Sequence, residues 1–458
     1  MKSQAWIVAA ALGALALGLA AAAWLAAPEP GSPPAPAAAP AADAPEPPER
    51  PAAGKWAQAR GPAAAEPAPP GARPATDPTA RPGAEALATL PYLQGYRPAR
   101  SGVETVTVHR PNAVSPGLNL YTSGHASEAV LMDPEGRILH RWGYPLRLLR
   151  PELYADPETR DEIRKLEYFR RARLLPTGEL LAIFEGLGLV KLGPGSELVW
   201  AYRGGAHHDL DLADDGTIYL LDREGRAIPR LRPEGVLEDL VTVLTPEGEV
   251  QRKLSVLEAF ERSPYAALLE RMPPRPDILH TNTLEILDGR LAERHPAFRR
   301  GNLLLSVLEL DTVAVLDPGS GEIVWALSDL WRKQHQPTVV GDGRLLVFDN
   351  VGAGPDRSRV LELDPFTREV FWRYGGDPET DFLSRTLGSC QRLPNGNTLI
   401  TESENGRALE VTRGGEVAWE FTSPHRAGEA GELVAVLFEV ERLPPDFPFR
   451  GDSPGGDR

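Results

Sequence analysis

Hydrophobic and polar positions divide the chain into three stretches. Ala5 to Ala27 is an uncharged apolar run of 23 residues. At 1.5 Å rise per residue it reaches about 35 Å, enough to cross a bilayer with some tilt. Trp6 and Trp24 lie near its ends, where interfacial aromatics collect, and Lys2 is the only charge before it. The pattern predicts a membrane anchor over residues 1–27. A cleaved signal peptide is the alternative, because small residues near its end suit a peptidase. Either way the rest of the chain is expected in the cell envelope, periplasmic or extracytoplasmic. Residues 28–86 follow as an Ala/Pro tract, with 17 of the 46 prolines between Pro28 and Pro82 and almost no large apolar residue. It cannot bury a core and predicts a disordered linker.

Residues 87–458 read differently. From Leu120 onward, short apolar strands alternate with polar turns in six similar blocks. Each block closes on a turn and an apolar strand, as in "LMDPEGRILHRW", "VLDPGSGEIVWAL", "ELDPFTREVFWRY" and "EVTRGGEVAWEF". Trp325, Trp372 and Trp419 recur every 47 residues. A period of 40–50 residues with about four strands per unit predicts an all-β fold, a six-bladed β-propeller. The entry halves start at "NLYTSGHASEAV", "ARLLPTGELLAIF", three histidine-led segments and "SCQRLPNGNTLITE". Residues 150–171 and 254–271 have helical spacing and predict short helical insertions. Residues 436–445, "VLFEVERLPP", predict a late strand that returns to the first blade and closes the ring.

Composition narrows the function. A net charge of −15 argues against a nucleic-acid partner. Neither GxxxxGK[ST] nor a helix-opening GxGxxG occurs, so no nucleotide cofactor is expected. Cys390 is the only cysteine, which excludes an internal disulfide and cysteine-rich zinc sites. It reads as a buried structural thiol.

The histidine-led segments start at His207/His208, His280 and His335. Innermost propeller strands face a common axis, so equivalent entry positions of three consecutive blades would bring these imidazoles together. Period-two alternation places Asn282 on the face of His280. Such a cluster offers hydrogen bonds to an oxyanion. Of the adjacent pair, His208 is favoured for the site, with His207 kept as a second candidate. His109, His140, His295 and His425 read as structural or exposed, and His125 lies where it can reach the channel rim. Asp349-Asn350 reads as a strand-ending turn with no catalytic role.

The strings "HHDLDLADDG", "HTN", "KQHQP…LLVFDN", "SRVLELDPFTREVFWRY" and "QRLPNGNTLI…GRALEVTRGGEVAWEF" resemble the bacterial arylsulfotransferase family over about residues 120–443. The resemblance implies an exported six-bladed propeller that moves a sulfuryl group from an aryl sulfate to a phenol without a nucleotide donor. It implies His335 as the nucleophile that becomes sulfated, and His280, Asn282 and His208 as site residues. One position departs: the family carries an arginine in a Ser-x-Arg pattern, and here Ser306 is followed by Leu308. Arg299 and Arg300 precede that strand as candidate replacements. Two rival readings are a transition metal held by the three histidines with Asp209 nearby, and a membrane-tethered platform that only binds.

Overall fold

The computed structural model describes residues 95–100, 105–155, 160 and 163–449. The anchor expected at 1–27 and the linker expected at 28–86 lie outside the described residues. Among the described residues no helix is long and apolar enough to cross a membrane.

The alternating apolar runs become antiparallel strands, joined in chain order into six main sheets. The second sheet shows the pattern: Arg171–Leu174, Leu180–Phe184, Gly188–Leu192 and Leu198–Tyr202, from the inside outward. The third, fourth and fifth sheets begin with Leu210–Leu212, Thr281–Ile286 and His335–Val340. The sixth begins with Ser389–Arg392 and gains a fifth, outermost strand, Val106–His109. A small separate sheet pairs Tyr96–Pro98, Leu433–Ala435 and Arg426–Ala427.

The first sheet departs from the expected layout. "NLYTSGHASEAV" supplies its second and third strands rather than an entry strand. Its innermost strand is Leu437–Arg442 from the C-terminus, pairing Leu437 with Ser123 and Arg442 with Asn119. The late strand thus returns to the first sheet, as its apolar pattern predicts.

Hydrophobic clusters fill the space between consecutive sheets. Leu304, Val315 and Trp325 meet Leu345, Val347 and Leu361 between the fourth and fifth. Leu399, Trp419 and Phe421 meet Tyr121, Val130 and Leu437 between the sixth and the first, so the succession closes on itself. This is a propeller-like architecture, all strand with few helices.

The closing-strand tryptophans have a repeated task. Trp142, Trp200, Trp372 and Trp419 donate their indole N–H to carbonyls of Gly178, Pro246, Arg413 and Pro134, each on a turn of the next sheet. A buried indole needs such a partner. Gly248 shows why the turn keeps glycine: its φ is +84°, and a Cβ there would lie 2.6 Å from Trp200. Truncating the fully buried Trp419 to alanine would cost about 3–5 kcal/mol.

Both helical insertions exist and are short. Ser255 caps Val256–Glu261 by accepting from the Glu258 N–H at 3.0 Å, a cap legible as S-x-x-E. Residues 150–171 hold 3-10 turns at Pro151–Tyr154 and Arg164–Leu166. The third sheet carries a feature outside the repeat: Ile218–Ile228 and Arg232–Leu244 are 11 and 13 residues long and form an extended hairpin. Leu237 on that hairpin bridges to Asp277 and bonds the Pro276 carbonyl at 2.8 Å. It therefore fixes the loop that leads into the fourth sheet.

Candidate functional site

The innermost strands are stitched together by their side chains. Asp209 and Asp211 accept from the backbone N–H groups of Leu284 and Ile286 at 3.0 and 2.8 Å. Thr283 accepts from Gln336 N–H at 3.0 Å. Gln391 and Arg442 exchange hydrogen bonds between side chain and backbone. Glu439 and Glu441 pair with Arg171 and Arg173, and Arg171 also lies 3.1 Å from Asp209. Arg171 and Asp209 are buried, so removing one of them would strand a charge at about 3–5 kcal/mol.

Above this lattice sit the predicted histidines. His335 is 4% exposed and is the first residue of its strand, paired with Phe348. His208 and His280 lie just before their strands, with φ of +53° and +50°. The three are therefore not at equivalent register positions, as the repeat predicted, yet their sheets bring them together. The His208 and His280 rings meet edge to face with centroids 4.8 Å apart. Left-handed backbone at non-glycine residues is uncommon and collects at functional sites. Lys333 and Gln336, on either side of His335, have φ of +56° and +46°.

The hydrogen bonds around His335 determine its tautomer. Its Nδ1 lies 3.0 Å from the Lys333 carbonyl and 2.8 Å from Asn350 Oδ1. Asn350 Nδ2 donates to the Ser384 and Leu387 carbonyls at 2.8 and 2.6 Å, so its oxygen must face the imidazole. With two acceptors against it, Nδ1 carries the proton and Nε2 keeps its lone pair. Burial pushes the His335 pKa down to about 3, with Arg170 and His280 adding to the effect, so the ring is neutral at pH 7. Asn350 is a site residue that the sequence reading set aside as a turn.

His280 is held the opposite way. Its Nδ1 donates to Asp277 Oδ2 at 2.5 Å. Burial pulls its pKa down, and the Asp277 carboxylate outweighs that and raises it above the ordinary value. Asp277 in turn is held well below the usual carboxylate range despite its burial, chiefly by His280 and Arg223. The His280 side chain is 26% exposed, so solvent reaches the cluster there.

The remaining candidates take supporting places. His208 lies 3.2 Å from Glu185 and shares a 2.9 Å Nδ1–Nδ1 contact with His207. Burial drives both rings well below the ordinary value. His207 is fully buried behind His208, with Nε2 facing Asp239 at 3.8 Å. Asn282 donates to the Gln334 carbonyl at 2.9 Å, anchoring the residue before His335. A register shift between Thr281 and Thr283, next to left-handed His280, breaks the alternation expected to place Asn282 beside it.

Arg299 and Arg300 do not reach the site. They pair with Asp317 and Asp214, and their side chains are 59% and 67% exposed. Arg170 is a buried cation near the histidines that the sequence reading did not single out, as is Arg223, which acts on His207, His208 and His280. Arg170 sits 3.7 Å from Glu185, lies over the Phe438 ring, and acts electrostatically on His208 and His335. Cys390 is buried as predicted, and burial pushes its thiol pKa up.

His140 and His295 are structural, as expected: His140 bonds the Pro194 carbonyl and His295 accepts from Ala297 N–H. His425 is partly buried and stacks on His125.

Among solved structures, a protein of unknown function from Bacteroides caccae is 12% identical, with a TM-score of 0.45 over 70% of this chain and 98% of that one. A streptogramin B lyase is 11% identical, with a TM-score of 0.41 over 74% and 96%. The WD40 propeller domain of Doa1 is 11% identical, with a TM-score of 0.40 over 75% and 97%. At these scores the likenesses carry nothing about function. Among curated proteins none matches the chain. The family model described as arylsulfotransferase (ASST) matches residues 175–424, more than half of the chain and the whole stretch from Glu185 to Asn350. The chain belongs to the arylsulfotransferase family.

Proposed function

We propose that this protein transfers a sulfuryl group from an aryl sulfate to a phenol through a sulfated His335, at the end of a six-bladed propeller exported to the cell envelope. The observation that carries the reading is the tautomer of His335: Nδ1 is tied to Asn350 and Lys333, so a buried neutral imidazole presents Nε2. In the first half-reaction, Nε2 forms a bond to sulfur while the bond from sulfur to the aryl oxygen breaks. The phenolate leaves with the electron pair, and His335 keeps its Nδ1 proton. Protonated His280 and Arg170 balance the charge on the sulfuryl oxygens, as preorganised donors do for a developing anion. Arg170 thus takes the place of the arginine absent at position 308. In the second half-reaction the acceptor phenol oxygen bonds to sulfur and the nitrogen–sulfur bond breaks. His208 takes the phenol proton, and Glu185 stabilises the imidazolium formed. The scheme is covalent catalysis with ping-pong kinetics.

The six consecutive sheets and the returning strand Leu437–Arg442 support the blade count. The apolar run at Ala5 to Ala27 supports export and tethering at the inner membrane. Mixing enzyme with a nitrophenyl sulfate tests the reading. A burst of nitrophenol near one equivalent is expected, absent in His335→Ala. Steady release with no burst, or a burst kept by the variant, would rule it out.

A second reading has one observation in its favour. Donor atoms of Glu185, His207 and His208 lie within 4.8 Å of one another, a spacing that suits a metal ion. A stoichiometric metal lost in His208→Ala would support it against sulfuryl transfer.

A further inference from the structure

A separate histidine group lies on the first sheet. His125 and His425 stack with ring centroids 3.3 Å apart and planes 7° apart. Glu128 joins them, with Oε1 2.6 Å from His125 Nε2. Donor atoms of the three side chains lie within 4.8 Å of one another.

Each ring has one nitrogen held by a hydroxyl, and the other nitrogen of His125 already meets Glu128. Ser123 Oγ bonds His125 Nδ1, and Tyr121 OH lies 3.2 Å from His425 Nε2. Tyr121 and Ser123 alternate on the strand Asn119–Ser123, so both hydroxyls come from one face of it. Metal-binding histidines are oriented in this way, by an outer partner on the nitrogen that does not ligate. Burial, with His125 beside it, pulls the His425 pKa down to about 4, which leaves the ring neutral as ligation requires. Burial opposes ionisation of Glu128, but His125 and Arg141 outweigh it and keep the carboxylate charged.

We propose that His125 Nε2, His425 Nδ1 and Glu128 form a site for a divalent transition metal of the Zn(II) class. Two imidazoles and one carboxylate are a known type of zinc ligand set with a fourth position left open. Two of the three ligands, His125 and Glu128, line a cavity of about 490 Å³ whose walls also include Tyr96, Tyr144 and Tyr168. Bond lengths near 2.0–2.2 Å require the two rings to turn out of their stack and Glu128 to shift from Arg141. The site also bears on ring closure. The His425 carbonyl accepts from Ala435 N–H at 2.9 Å, two residues before the strand that completes the first sheet. A bound ion would pin that segment to the loop carrying His125.

The proposal stands apart from sulfuryl transfer and has its own test. The full chain is freed of metal by chelation and titrated with Zn(II) in a calorimeter, with the unfolding temperature followed in parallel. One equivalent is expected to bind and to raise the Tm. Affinity should fall at least about 10-fold in His425→Ala and Glu128→Gln and measurably in Tyr121→Phe, and stay unchanged in His208→Ala. His425→Gln serves if the alanine variant does not fold. Absence of stoichiometric uptake overturns the proposal. So does uptake that survives both His425→Ala and Glu128→Gln, whatever His208→Ala does.

Discussion

His335 and His280 enter the site from neighbouring sheets, and their surroundings drive them in opposite directions. Behind His335 stands a neutral amide, Asn350, which fixes the tautomer and adds no charge. Behind His280 stands a carboxylate, Asp277, which supports an imidazolium. Burial alone would neutralise both rings. Asp277 outweighs burial at His280, whereas at His335 burial, with Arg170 and His280, outweighs the hydrogen bond to Asn350. Sulfuryl transfer through His335 needs both a lone pair to attack sulfur and a fixed positive charge for its oxygens.

Substitutions can break this division of labour, and the largest effect is expected from His335→Ala. It should lower the rate of aryl sulfate turnover by at least about 10³-fold, as loss of a covalent nucleophile does. Asn350→Asp comes next. A carboxylate behind His335 would raise its pKa, so the neutral fraction at pH 7 falls and activity recovers only as pH rises. A pH–rate profile checks this, and Asn350→Ala, which adds no charge, should not shift the optimum upward. Asp277→Asn should cost about 10²–10³ in kcat, the scale of a lost oxyanion donor, because His280 then loses its proton near neutrality. In the unaltered protein the rate should fall on the alkaline side as His280 deprotonates above pH 6.5, and on the acid side only near pH 3, where His335 protonates. Asp277→Asn should move the alkaline limb down.

Stability follows the same signs. The raised His280 pKa contributes stability that is fully present below about pH 6.5 and is lost as pH rises through the folded value. The lowered His335 pKa acts in reverse: the unfolded chain binds the extra proton, so stability falls as pH drops from about 6.5 toward 3. The smallest effect is expected from Leu308→Arg. If His280 and Arg170 already hold the sulfuryl oxygens, restoring an arginine there changes kcat/KM by less than about 10-fold. A large gain would mean that the site lacks its cation.

Much of the frame was legible in the sequence because it rests on local rules. Turn glycines act over a few residues, and the 47-residue tryptophan period repeats one short turn-and-strand unit. The site was legible only in part. His208, His280 and His335 stood out because each heads a strand, and the family strings surround them. Their orienting partners did not. Asn350 is 15 residues from His335, and Glu185 is 23 residues from His208. Such pairs are made by strand register and sheet stacking, which no local pattern encodes. Arg170 gave no local sign either, lying at the entry to a strand in an ordinary basic cluster. The extended hairpin escaped notice for a different reason. "DREGRAIPRLRPEG" is polar and broken by proline, so it reads as a loop, yet it carries Arg226–Glu238 pairing and pins Asp277. Strict alternation does not hold from His280 to Asn282, because a register shift and left-handed backbone occur where the strand begins.

The charge states of the two imidazoles can be read directly by nitrogen NMR of histidine-labelled protein across a pH titration. The account predicts that His335, identified by its loss in His335→Gln, stays neutral with its proton on Nδ1 from pH 8 down to pH 5. It predicts that His280 titrates above pH 6.5. A His335 that gains a proton near pH 6.5, or carries its proton on Nε2, would contradict the assignment of His335 as the nucleophile.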